Sequence, residues 1–96
     1  MYFKLNGRIV EPCNMRDWAD SFSSRPDVGL TMVGETKVST IFLGLDHNFL
    51  NAGPPVLFET MVFGGKYHNY MERYSTYEEA EVGHQRIVGM VQGDTP

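Results

Sequence analysis

The sequence predicts an α+β fold, an antiparallel sheet of about four to six strands with two amphipathic helices packed on it. Three observations carry that expectation. Two apolar runs of strand length, residues 38–45 and 56–63, are rich in β-branched and aromatic residues and flank a polar connection containing Gly53, Pro54 and Pro55. Met15, Trp18 and Phe22 follow one another at helical spacing and form one apolar stripe. Tyr77, Ala80, His84, Ile87, Val88 and Val91 form a second, with a period close to that of an α-helix.

Taken in order, residues 2–5 and 8–10 flank Asn6-Gly7, a dipeptide suited to the positive φ angles of a type I′ hairpin turn. Pro12 has no amide hydrogen for a ladder, so it should end the second strand. Asn14 can cap a helix over residues 15–23, with Asp17 in the first turn, where the helix dipole favours a negative charge. The run from Ser23 to Asp27, which includes Pro26, stops it. Residues 28–33 read as a strand weakened by Gly29, turning through Gly34-Glu35 into the strand at 38–45. That strand is apolar on both faces beyond Thr40, which places it centrally in the sheet. The run at 56–63 ends at Gly64-Gly65. A short strand over 70–74 and a helix over 76–91 complete the order, the helix opened by a capping box at Ser75-Thr76-Tyr77-Glu78. Residues 93–96 read as a frayed tail of a single globular domain spanning 1–96.

Charge and composition narrow the function. Eight Lys and Arg against twelve Asp and Glu give a net charge of −4, and the basic residues are scattered singly. Without a basic stripe, duplex nucleic acid is not an expected partner. Cys13 is the single cysteine, which precludes an internal disulfide; a small secreted domain would ordinarily be stapled, so a cytoplasmic setting is expected. No apolar run reaches membrane-spanning length and the first residues lack a signal peptide's apolar core, so no membrane is expected either.

The ten-residue connection at 46–55 is longer than a tight hairpin needs, and long loops held by strand ends often carry function. Asp46-His47-Asn48 opens it. His47 with a carboxylate can act as base and orienter or as two metal ligands. Without a second spaced pair of ligands, a turn in which Asp46 and Asn48 hold nearby amides is the weightier alternative. Glu59 sits within an apolar run, with Leu57, Met61 and Phe63 on its own face, where a carboxylate is costly unless paired or solvated. It either lines a pocket or meets Arg73 or Lys37 across the sheet. His84, on the apolar stripe of the last helix, reads as a hydrogen-bonded core or interface histidine. No nucleophile elbow, phosphate loop, zinc-protease motif or dinucleotide fingerprint is present.

The segments VSTIFLGLDHNF (38–49), GPPVLFETMVF (53–63) and RYSTYEEAEVGH (73–84) together resemble a family of small phage- and prophage-encoded proteins described as hypothetical. The resemblance implies an accessory role in the host cytoplasm: inhibiting a defence protein, sequestering a nucleotide immune signal, or a minor structural duty. Combined with the absence of catalytic motifs, it makes a non-enzymatic binder of a small nucleotide-like ligand the first expectation. Phe49 would stack on a base, Arg73 or Lys66 would meet phosphate, and Asp46 or Glu59 would bind ribose hydroxyls, with His47, Asn48 and Tyr70 nearby. A homo-oligomer is expected, because so short a chain offers little concavity of its own. The second expectation is an acidic inhibitor of a host protein (anti-CRISPR-like), carried by Glu78, Glu79 and Glu81, or a minor assembly factor. The third is a small hydrolase or lyase with His47 as base and Asp46 and Glu59 in support. No cofactor and no metal are expected.

Overall fold

The computed structural model describes residues 2–22, 27–46 and 53–93. The elements run β1 (Tyr2–Asn6), β2 (Ile9–Cys13), α1 (Met15–Phe22), β3 (Asp27–Val33), β4 (Thr36–Phe42), β5 (Phe58–Phe63), β6 (Met71–Tyr74) and α2 (Tyr77–Gly93). The fold is α+β, and its strands are divided between two antiparallel sheets rather than gathered into one. β1 pairs with β2, while β3-β4-β5-β6 form a meander with β4 and β5 in the middle. Helix α2 covers one face of the meander, but α1 lies against β1 instead.

The division has a local cause. Gly44 adopts φ +71°, a conformation that L side chains avoid, and it turns the chain away just beyond β4. A Cβ at this glycine would stand 2.6 Å from Trp18 Nε1 and 3.1 Å from the Phe3 carbonyl oxygen, so both β1 and α1 press on bare backbone there. Trp18 Nε1 donates to the Leu43 carbonyl at 3.3 Å, and Phe3 N donates to the Gly44 carbonyl at 2.8 Å. With the isolated bridge between Tyr2 and Leu45, these bonds stitch the hairpin to the end of β4.

Two further expectations shift by one residue. Asn6 pairs with Ile9, so the hairpin turn is Gly7-Arg8, with glycine first at φ +65°, as a II′-type turn requires. The capping box is Thr76-Tyr77-Glu78-Glu79: Glu79 N donates to Thr76 Oγ1 and Thr76 N donates to the Glu79 carboxylate, each at 3.1 Å. Pro12 does not end β2 but pairs with Phe3 inside it, which an edge strand tolerates. The Asn14 cap forms as expected, accepting from Asp17 N at 2.7 Å. Helix α2 runs on to Gly93, placing that residue in the helix rather than in a tail.

The register sorts the four-stranded sheet into alternating rows. Thr31–Val38–Val62, Gly29–Thr40–Thr60–Glu72 and Phe42–Phe58–Tyr74 face α2; Met32–Lys37–Phe63, Leu30–Ser39–Met61–Met71 and Ile41–Glu59–Arg73 face away. Beneath α2 the apolar core falls into two clusters. Phe3, Phe42, Leu57, Phe58 and Ala80 form one; Val38, Val62, Ile87, Val88 and Val91 form the other. The row of threonines runs between them.

Candidate functional site

Of the residues expected to bind a ligand, Asp46, Glu59, Lys66, Tyr70 and Arg73 are described, and they lie in different parts of the fold. Asp46 accepts from the Val56 amide at 2.8 Å, clamping the two ends of the long connection ten residues apart rather than closing a local turn. Glu59 and Arg73 are brought together, directly opposite in register, with Arg73 Nε donating to Glu59 at 3.0 Å. The Glu59 side chain is 14% exposed and that of Arg73 37%, so the carboxylate is paired within the sheet face rather than lining a pocket. Met61 and Phe63 share its face, whereas Leu57 precedes β5 and is buried on its own account. Lys66 and Tyr70 lie in the β5–β6 turn, at the end of the sheet opposite to Asp46. The Lys66 ammonium sits 5.5 Å from the Tyr67 ring centre and the Tyr70 hydroxyl donates to Glu72. His47, Asn48 and Phe49 lie outside the described residues.

Because Arg73 can still reach water, Glu59→Gln should lower stability by less than about 1 kcal/mol. A denaturant midpoint that shifts by several times this amount would mean that Glu59 carries more than its cross-strand pair.

What converges instead is a polar seam that single-residue patterns did not reveal. His84 is 3% exposed, with Thr31 Oγ1 at 2.8 Å from Nε2 and Thr40 Oγ1 at 2.7 Å from Nδ1. Thr40 Oγ1 continues to Thr60 Oγ1, and the Tyr74 hydroxyl donates to Thr60 at 3.1 Å. Tyr74 also reaches Glu72, which is paired with Arg86 on α2. Two glycines make the room. A Cβ at Gly29 would stand 3.0 Å from the His84 ring, and one at Gly83 would fall 2.3 Å from the Tyr74 hydroxyl. The chain of hydroxyls crosses all four strands, and no buried side-chain nitrogen or oxygen among the described residues lacks a partner.

The chemistry of the seam is that of a satisfied core. A neutral imidazole gives one donor and one acceptor, which the two threonines match. Burial holds the His84 pKa below its ordinary value, and burial likewise raises that of the Tyr74 phenol. The Arg86 bond lowers the Glu72 pKa. A pH dependence follows from the sign of the histidine shift. As pH falls below the ordinary value of 6.5, the unfolded chain takes up a proton that the fold resists. Stability is therefore full above pH 6.5 and declines below it until the lowered value in the fold is passed. The contribution of Glu72 is lost separately, only as pH falls below the ordinary 4.5. Denaturant midpoints between pH 7.5 and 5 should fall for the parent chain, with a shallower slope for His84→Gln.

Beside this seam, between α2 and β6, runs an open groove of about 410 Å³ lined by Tyr74, Glu78, Glu79, Val82, Gly83 and Arg86. No three His, Cys, Asp or Glu side chains among the described residues are grouped to hold a metal ion, and no described helix is long and apolar enough to cross a membrane.

No described helix packs on the opposite face of the sheet. Leu30, Met32, Phe63 and Met71 are 58, 59, 38 and 40% exposed there, around the half-buried Ile41 and Met61. Alternation along β4 and β5 hints at such a face, but only the register shows that the exposed apolar residues of β3, β5 and β6 fall together around Ile41 of β4. Family models, curated proteins and solved structures were each compared with the chain, and none matches.

Proposed function

We propose that the chain is a non-catalytic docking protein, an accessory protein of phage type, which binds a protein surface with an apolar centre through the uncovered face of its four-stranded sheet. The observation that carries this is the face itself. On a domain of 96 residues, an apolar surface spanning four strands is a liability in water unless something covers it. Among the described residues, three groups suited to chemistry are held by structural partners: Asp46 in closing a loop, Glu59 with Arg73, and His84 between threonines. The acidic inhibitor role carried by Glu78, Glu79 and Glu81 gains less support. Glu79 closes the helix cap, and Glu81 is paired with Arg8.

Methionine chemistry provides the test. Met32 and Met71 lie on the face, and Met15, 61% exposed on α1, is an internal reference. Peroxide oxidation in the host cell should be slower at Met32 and Met71, relative to Met15, than in the dilute purified protein. Unchanged relative rates would overturn the docking proposal.

Capture of a small ligand is the second proposal, favoured by the groove between α2 and β6. Two carboxylates beside one arginine suit an amine or a polyhydroxyl compound better than a phosphate. A melting-temperature screen separates the classes: a rise with nucleotides alone would restore the nucleotide-sequestering role, and a flat screen would remove small ligands altogether.

A further inference from the structure

We propose that the occupant of the open sheet face is a second copy of this chain, in an isologous face-to-face dimer. This rests on the docking function above and specifies its partner. The face is three cross-strand rows deep. Its central row, Leu30–Ser39–Met61–Met71, is apolar apart from one serine. One flanking row carries Lys37 between Met32 and Phe63, and the other, Asp27–Ile41–Glu59–Arg73 in register, carries Glu59 between Ile41 and Arg73. Lys37 lies over the Phe63 ring with its ammonium 4.7 Å from the ring centre, so its charge belongs to the face.

Only two simple two-fold operations stack this face on itself, and the charges distinguish them. An axis along the central row, at right angles to the strands, reverses strand direction and keeps each strand's lateral place. It sets Leu30, Met61 and Met71 on their own counterparts and lays Lys37 over the partner's Ile41 and Glu59. The reciprocal contact forms by symmetry. An axis parallel to the strands instead leaves Lys37 beside the partner's Lys37, and Glu59 beside the partner's Glu59. The first arrangement joins an apolar centre to two unlike-charge contacts, in the aligned geometry of sheets packed about 10 Å apart.

Size sets the strength. Four strands about 4.8 Å apart and about six residues long give a footprint near 400 Å². That is about half of the roughly 800 Å² each partner buries in a standard interface. An interface of this size fits a reversible dimer and not an obligate one.

Sedimentation equilibrium over a concentration series tests it, with Met61→Glu and Lys37→Glu as variants and circular dichroism to establish that each remains folded. The expected result is a reversible dimer that Met61→Glu abolishes and Lys37→Glu weakens at least tenfold. Charge exchange in Lys37→Glu/Glu59→Lys should then recover part of the loss. A dimer indifferent to Met61→Glu uses another surface and overturns the inference. A monomer at millimolar concentration also overturns it, and the methionine oxidation pattern then decides the broader function. Protected Met32 and Met71 in the cell would leave docking intact with a different protein, whereas unprotected ones would remove both proposals.

Discussion

Gly44→Ala should destabilise the protein by about 2–5 kcal/mol and move the emission of Trp18. Two independent costs combine. A non-glycine residue held in the left-handed region costs roughly 1–2 kcal/mol, and an added methyl in a filled space about 1–3 kcal/mol more. Here φ is +71°, and the new Cβ would stand 2.6 Å from Trp18 Nε1 and 3.1 Å from the Phe3 carbonyl oxygen. The indole can swing aside; the carbonyl belongs to β1 and cannot move without disturbing the bond from Phe3 N to Gly44. Trp18 is the single tryptophan, so its fluorescence reports this junction alone. In a Trp18→Ala background the same substitution should cost only the conformational part and the contact with Phe3. Equal costs in the two backgrounds would show that Trp18 does not press on Gly44.

His84→Leu should cost about 2–4 kcal/mol. Its volume suits the space, but the change leaves the Thr40 hydroxyl without the ring and Thr31 with one partner fewer. Thr40 keeps its bond to Thr60, but a buried polar group short of a partner costs up to about 1–3 kcal/mol, whereas removing both members of a pair is far cheaper. Thr40→Val added to His84→Leu should therefore restore part of the loss rather than add to it. The pH slope described above should flatten in both variants. Urea midpoints for the two singles and the double form a complete cycle. Strict additivity, with each change costing the same alone or together, would refute the seam as a coupled unit.

The helices, most strands and the Asn14 cap are legible in the sequence because each follows from a local rule of spacing or capping. The seam is legible only in fragments. That Val38, Thr40 and Phe42 share a face follows from strand alternation, but pairing Thr40 with Thr60 and Gly29 requires the register of three strands. Gly29 reads locally as a weakness in a strand; its use, room for the His84 ring, depends on a helix more than fifty residues away. The described members of the ligand set expected around Asp46 and Glu59 stand apart for a similar reason. Its members are near in sequence or chemically suited, but alternation sends Glu59 to the uncovered face, and the β5–β6 turn carries Lys66 to the far end. The one-residue shifts at Gly7 and Thr76 arise where two neighbouring residues can both serve and the backbone takes the second.

The stitching of the hairpin to the end of β4 also bears on the order in which the molecule forms. Strands β3 to β6 and α2 are a run of neighbours in sequence, each closing on the one before with a short loss of chain freedom, apart from the longer β4–β5 connection. Tyr2 and Phe3 are different. Their partners, Leu45 and Gly44, lie more than forty residues downstream, and Arg8 reaches farther still, to Glu81 on α2. The hairpin can therefore close on itself early but dock only after the rest exists. Hydrogen exchange should find the amide of Phe3 opening before those of Val38 and Val62. In synthesis, the hairpin emerges ahead of the strands it docks on and would be the last part of this fold to find its place.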